Sequence, residues 1–444
     1  MHQETTSTTL GSDTGARKRR SRNANLALIA LIMGWLGIIT AALALAPKVA
    51  PESYRFNDFW DYYIGSRLFW DGKYPYGVTA DFLALIRQYG LRFMWATGYS
   101  YPPFLAMAFG PMLLMPPETA AWIWAGVSMA AFCVLVYLIS RRVEGPWRRV
   151  VVGLYMLTYA PAMYSIGAGQ VNIAILYLMA GYLLGSAEWQ RVVGLSVASM
   201  IKVYPILFLV KETLQRRFRF VLASLAIMAG FMLAPALLRG PGLVVDYFLR
   251  VLPQLDHVFD PNVYNQSLNG MFARLLSDPW QTMLMVPGGV LSLLDFLSLA
   301  VILACLAVLT LLRRHEDFVL TLIWLAGLTL IAGKNSFWNF APCMFIGVYL
   351  LQVWESLARW QRGLFIASAL ISDLLWHPLY LAGFDVVPTD LPIPRLLFVL
   401  IFSAGTISLL LEVALLLGLR TWARPSWQPS ARHDPNHSDC LAAN

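Results

Sequence analysis

Asp58 lies in the run Phe56-Asn57-Asp58-Phe59-Trp60-Asp61-Tyr62-Tyr63, and Lys202 lies in mid-run within the apolar stretch 191–212, just before Val203-Tyr204-Pro205. Both are charges set among aromatic or apolar neighbours. A positioned carboxylate can take a proton from a hydroxyl. A lysine in an apolar stretch is costly unless it meets a negative partner, and a phosphate is such a partner. If the first run is helical, Asp58 and Asp61 share a face, and the flanking aromatics suit a helix lying in a membrane interface. Plainer roles exist for each. Either carboxylate could be solvated or could cap the helix near Asn57, and Lys202 could snorkel to an interface from a short helix.

Uncharged hydrogen-bonding groups form a second set. Gln170 and Asn172, in Gly169-Gln170-Val171-Asn172, suit sugar hydroxyls, although such residues also join helices to one another with no ligand present. Asn265-Gln266-Ser267 follows Asp256 and His257. It matches a glycosylation acceptor pattern, but the pattern is short and the chain has a bacterial character, so that reading is set aside. His257 could meet a phosphate or an acceptor, or be an ordinary surface histidine. Lys334, Asn335 and Trp338 mark another helix end, while Asp373 and His377 receive no role. Cys133, Cys305, Cys343 and Cys440 are far apart, with no paired spacing, which gives neither a disulfide framework nor a structural zinc site.

The elements that must position these residues are membrane helices. Of the 444 residues, 58% are hydrophobic and 13% charged, with mean hydropathy +0.60; an average soluble domain is roughly 25% charged. Apolar runs at 26–47, 119–140, 148–167, 170–187, 219–238, 286–312, 317–333, 338–354, 363–383 and 394–418 predict about ten spans. Residues 102–117, with five prolines, and 191–212 predict short, re-entrant or broken helices that could raise the count to eleven or twelve. The net charge of +8 comes from basic residues flanking helices, and no aromatic-interleaved basic face suited to nucleic acid is present. Arg17–Arg22, Arg141, Arg142, Arg191, Arg216, Arg217, Arg313, Arg314 and Arg359 all fall on one side, which the positive-inside rule makes cytoplasmic, with both termini there. The chain thus divides into a disordered basic tail (1–25), a membrane domain (26–420) with outward loops at 48–101 and 239–284, and a second cytoplasmic tail (421–444). Polar chemistry gathers on the outer face.

Asp58 to Tyr63, the Gly72 to Tyr76 turn, Tyr101-Pro102-Pro103, Gly169 to Asn172, Lys202 to Pro205 and Asn265 to Ser267 occur in that order. Together they resemble the bacterial GT-C membrane glycosyltransferases of family 87, the alpha-mannosyltransferase-like enzymes that take a sugar from a polyprenyl phosphate. The likeness runs over about residues 25–350. The resemblance implies an all-α bundle of ten to twelve spans in the bacterial inner membrane, working on the outer face among membrane lipids. It implies inverting transfer of a hexose, mannose first, from a polyprenyl-phosphate-linked donor to a lipid or glycan acceptor. Asp58 stands where the family keeps its base. Lys202, Tyr204 and His257 are then expected at the donor phosphate. Asp61, Tyr62, Tyr101, Gln170, Asn172, Asn265 and Gln266 are expected around sugar and acceptor. Many GT-C relatives bind a divalent metal between acidic residues; Asp58 and Asp61 are separated by two residues rather than one, so no metal or other cofactor is expected. An arabinofuranosyltransferase of the same family is the nearest alternative. A transporter would share the broken helices, but the 58–103 pattern has no second copy in the later half.

Overall fold

The computed structural model describes residues 9–49, 56–91, 98–255, 265–276, 288–313, 317–332, 336–374, 399–400 and 403–419. Among these residues the chain is all-α, with isolated bridges such as Asn265 to Ser336 as the sole β pairing. The first helix, α1 (Thr9–Val49), begins well inside the segment expected to be disordered and carries the basic run as part of itself. Extending a helix nucleated in an apolar run costs little, and Ala, Arg and Lys are good helix formers.

After α1 come α2 (Asn57–Trp70) and α3 (Ala80–Tyr89), the latter capped by Thr79, whose hydroxyl accepts from Phe82 N at 3.1 Å. The proline-rich segment forms the short α4 (Pro103–Ala108) and a 3-10 turn at Gly110–Leu114, a broken path as its prolines require. The spanning α5 (Pro117–Arg142) follows, then α6 (Pro146–Thr158) and α7 (Ala160–Gly167), bent by 46° where Pro161 removes a donor at the start of α7.

Next comes a hairpin, α8 (Asn172–Leu184) and α9 (Glu188–Ile201). Its arms touch through Gly194, where a Cβ would lie 2.5 Å from Leu178 O and 2.9 Å from Tyr182 N. Because the arms are antiparallel, the first residue of α8 and the residue after α9 finish at the same end. At Lys202 the backbone is extended, and the chain resumes as a 3-10 turn (Tyr204–Leu207) and α10 (Phe208–Leu214). The broken path expected over 191–212 is therefore present, with Lys202 at the break.

The remainder comprises α11 (Phe218–Arg239), α12 (Pro241–Asp246), α13 (Leu252–Leu255), α14 (Leu268–Leu276), α15 (Gly288–Leu312), α16 (Asp317–Ile331), α17 (Met344–Gln352), α18 (Arg359–Leu374) and α19 (Ala404–Leu417). Among the described residues four helices are long and apolar enough to cross a membrane: residues 19–45 of α1, α5, α11 and α15, with α6 and α7 as a fifth if counted together. The described parts of the other apolar runs form helices shorter than the roughly 20 residues a span needs. Run 170–187, for example, spends its first residues on a turn ending at Asn172 and its last on the hairpin bend, leaving 13 helical residues. Several of these short helices are interior elements. Phe318 to Leu330 of α16 is buried on every side, so its apolar surface faces protein. The tail at 421–444 lies outside the described residues.

Candidate active site

The first turn of α2 has no side-chain cap. Its exposed N–H groups are met by another part of the chain: Phe56 N donates to Gly167 O at 2.9 Å and Asp58 N to Ala168 O at 3.0 Å. Phe56 itself is left-handed, with φ 60°, uncommon for a non-glycine residue and held here by that bond and by its edge contact with Trp122. Gly169 permits the close approach. Its φ is +72°, and a Cβ there would fall 2.7 Å from Phe59 Cβ. Trp124 Nε1 donates to Gly169 O at 2.9 Å and fixes the segment from behind.

The next residue, Gln170, is thereby delivered to Asp58. Its Nε2 donates to Asp58 Oδ2 at 2.5 Å, while its Oε1 accepts from the Tyr62 hydroxyl at 2.7 Å. The Tyr62 hydroxyl lies 3.1 Å from that of Tyr101. A carboxylate only accepts, so Gln170 must turn its nitrogen towards Asp58 and its oxygen towards Tyr62. Asp58 belongs to α2, outside the spanning helices. Desolvation pushes its carboxyl above the ordinary value of 3.8, opposed by the Gln170 hydrogen bond, then by the charge of Lys202 and by Asn57.

Lys202 arrives from the far arm of the hairpin. Its Nζ donates to Asn172 Oδ1 at 2.9 Å and to Asn339 Oδ1 at 2.5 Å, and stands 5.6 Å from the Tyr101 ring centroid. Asn172 Nδ2 in turn donates to Asn339 Oδ1 at 3.1 Å and to Ser165 Oγ at 3.3 Å. Asp58, Tyr62, Tyr101, Gln170, Asn172 and Lys202 are thus one connected polar cluster, built from four separate segments. It can present a base and a cation to the same ligand. Its oxygens are tied to an amide and face an ammonium, a poor setting for a divalent metal, and among the described residues no three His, Cys, Asp or Glu side chains converge elsewhere to hold one.

Other expected residues lie apart from it or differ in setting. Asp61 is buried one turn further along α2 and acts electrostatically on Tyr101. Tyr204 is half-buried, and the ionisable group acting on it is Cys343. Asn265 and Gln266, expected around sugar and acceptor, are both buried and make bonds within the fold. Gln266 Oε1 accepts from Gly405 N at 3.0 Å, its carbonyl accepts from the Thr406 hydroxyl at 2.6 Å, and Asn265 O accepts from Arg274 Nη1 at 2.8 Å. Ser267 Oγ accepts from Gly270 N at 3.1 Å, so the tripeptide starts α14 and fastens it to α19. His257, Lys334 and Asn335 lie outside the described residues. Asn339 was not expected; its signal was a polar residue opening an apolar run just before Pro342.

The Gly72 to Tyr76 turn is held from outside the cluster. Arg239 donates to the carbonyls of Phe69 and Lys73, the Tyr74 hydroxyl donates to Asp246, and Tyr76 packs between Tyr99 and Tyr247 with ring centroids 5.8 and 5.6 Å away. The end of α11, α12 and the turn after α2 therefore form one packed unit.

The model of glycosyltransferase family 87 matches residues 99–333. That span contains Gln170, Asn172 and Lys202 and stops short of both Asp58 and Asn339. No curated protein matches the chain. Among solved structures, ArnT from Cupriavidus metallidurans bound to undecaprenyl phosphate is similar, with TM-score 0.42 and 14% identity over 86% of this chain and 77% of that one.

Proposed function

This chain belongs to glycosyltransferase family 87, and from that premise we propose that it transfers a hexose, mannose in the first instance, from a polyprenyl-phosphate-linked donor to a lipid or glycan acceptor. The chain is a membrane glycosyltransferase; donor, sugar and side of the membrane are the proposed part. The observation that carries the reading is that Asp58, held by Gln170, and Lys202, held by Asn172 and Asn339, meet at Tyr101 closely enough for their charges to act on each other, a base beside a cation.

In this scheme the acceptor hydroxyl gives its proton to Asp58 and its oxygen bonds to the anomeric carbon of the donor. The bond from that carbon to the phosphate oxygen breaks, the electron pair leaves on the lipid phosphate, and Lys202 faces the resulting charge. Attack opposite the leaving group inverts the anomeric centre. Gln170 holds Oδ2, which leaves Oδ1 to receive the proton. No step needs a metal or cofactor. The placement of basic loops on one side and of the cluster at the other helix ends supports work at the outer face of a bacterial inner membrane.

Purified protein incubated with radiolabelled polyprenyl-phosphate mannose and a total lipid extract should yield a labelled glycolipid, insensitive to chelators. Transfer only from polyprenyl-phosphate arabinofuranose would replace mannose with the pentose. No transfer from any polyprenyl-linked sugar, with the protein folded, would overturn the donor class. Lys202→Met should weaken donor binding while leaving the protein folded, since one charge-assisted contact is lost, worth about 1.5–3 kcal/mol.

A further inference from the structure

We infer that Asn339 is a positioning residue that, with Asn172, presents the Lys202 ammonium to an anionic ligand without neutralising it. This rests on the reading that Lys202 meets the lipid phosphate. An ammonium carries three N–H donors. Two of those on Lys202 go to amide oxygens, of Asn172 at 2.9 Å and Asn339 at 2.5 Å, and no third acceptor contacts it among the described residues. Its remaining near neighbour is the face of the Tyr101 ring at 5.6 Å. Both groups that hydrogen-bond the ammonium are therefore neutral; the Asp58 carboxylate acts on it through space, with no hydrogen bond between them.

That choice of neighbours has a chemical consequence. A buried lysine is ordinarily stabilised by a carboxylate, which would also cancel the charge a phosphate needs. Amide oxygens fix the ammonium by hydrogen bonds while leaving its charge in place, and the third N–H stays available for a phosphate oxygen. Asn339 also accepts from Asn172 Nδ2 at 3.1 Å, so the two amides orient each other and Asn172 is anchored in turn to Ser165. Asn339 lies within the 3-10 segment Phe337–Cys343 before α17, whereas Asn172 begins α8 and Lys202 ends the hairpin. The cation is thus centred between two distant parts of the chain.

The test separates charge from shape. Asn339→Asp is nearly isosteric but adds a carboxylate beside Lys202; Asn339→Ser is smaller but stays neutral and keeps an acceptor. Binding of undecaprenyl phosphate, which has no sugar, and the donor KM and kcat are measured for both, with thermal unfolding as a fold control. Asn172→Asp provides a second charged variant. Both Asp variants should weaken undecaprenyl phosphate binding and raise donor KM roughly tenfold or more, with the acceptor KM unchanged, while Asn339→Ser loses less than Asn339→Asp. A purely structural Asn339 would give the opposite order, with the isosteric variant milder, and that order overturns the inference. If wild-type protein binds undecaprenyl phosphate and both Asp variants bind it as well, the inference fails and the donor reading stands. If wild-type protein does not bind it, both fail together.

Discussion

Gln170 grips Asp58 from one side: its Nε2 is 2.5 Å from Oδ2, whereas the donor on Oδ1, Asn57 Nδ2, is 3.5 Å away, at the weak limit of a hydrogen bond. A carboxylate held by one oxygen is oriented and yet still able to take a proton on the other.

Replacing Asp58 with Asn keeps its size and removes the base. Transfer should fall about 10²- to 10⁴-fold, the usual contribution of a general base, while donor binding persists. Asp61→Asn should be the milder change in turnover. Steady-state rates of both variants decide the matter: near-normal turnover for Asp58→Asn with loss for Asp61→Asn would name the other carboxylate.

The pH profile follows from the surroundings of Asp58. Burial raises its carboxyl above 3.8, so the proton-accepting form is lost on acidification at a higher pH than for a solvated aspartate. The activity should rise with pH along an acid limb centred above that value. The Gln170 hydrogen bond and the Lys202 charge both favour the ionised form, so Gln170→Leu should move the limb to still higher pH. A limb that stays put or moves down in Gln170→Leu would remove Asp58 as the group being titrated.

Gly194 sets the spacing of the hairpin that ends in Lys202. A methyl group there would meet Leu178 O at 2.5 Å and Tyr182 N at 2.9 Å, both backbone atoms that cannot swing away. Gly194→Ala should cost about 1–3 kcal/mol of stability, as overpacking does, and weaken donor binding by displacing Lys202 from Asn339. Gly126→Ala, with nothing within 4 Å of the added carbon, is the control and should leave both unchanged. Equal melting temperatures for the two variants would contradict this account of the packing.

The orientation can be read with reporter fusions. Alkaline phosphatase joined after residue 270 should be active and joined after residue 315 inactive, because the basic residues Arg313 and Arg314 mark a cytoplasmic end. The reverse pattern at both sites would turn the whole protein over.

Much of the cluster was legible in the chain because its members are polar residues stranded at the ends of apolar runs. Lys202 announced a broken helix, and the helix breaks there. Gln170 and Asn172 had two readings, sugar contacts or helix joints, and as placed they act as joints, to Asp58, Lys202 and Asn339. Asn339 escaped notice because a single asparagine before an apolar run carries no spacing signal; its role exists only through contacts with residues far away in sequence. The bonds of Asn265 and Gln266 within the fold were not legible for a related reason, since buried capping amides and ligand-binding amides are the same residues in the same kind of loop. Hydropathy adds up apolar residues without registering the turns at Asn172, Tyr159 and Lys202, so the helices among the described residues are shorter than the apolar runs that contain them. The helical extension of α1 back to Thr9 is a matter of propagation that composition does not show.

The docking of the α2 start onto Gly167 and Ala168 carries a lesson for anyone building chimeras of this protein with its relatives. The aspartate and the glutamine that holds it are encoded more than a hundred residues apart, yet the backbone of one is tied to the backbone beside the other. A crossover placed between them, even just after α3, would pair the α2 segment from one parent with a docking strip from another. The smallest exchangeable cassette that keeps this contact therefore runs from Phe56 through Gln170, and libraries cut inside it should yield folded but inactive hybrids.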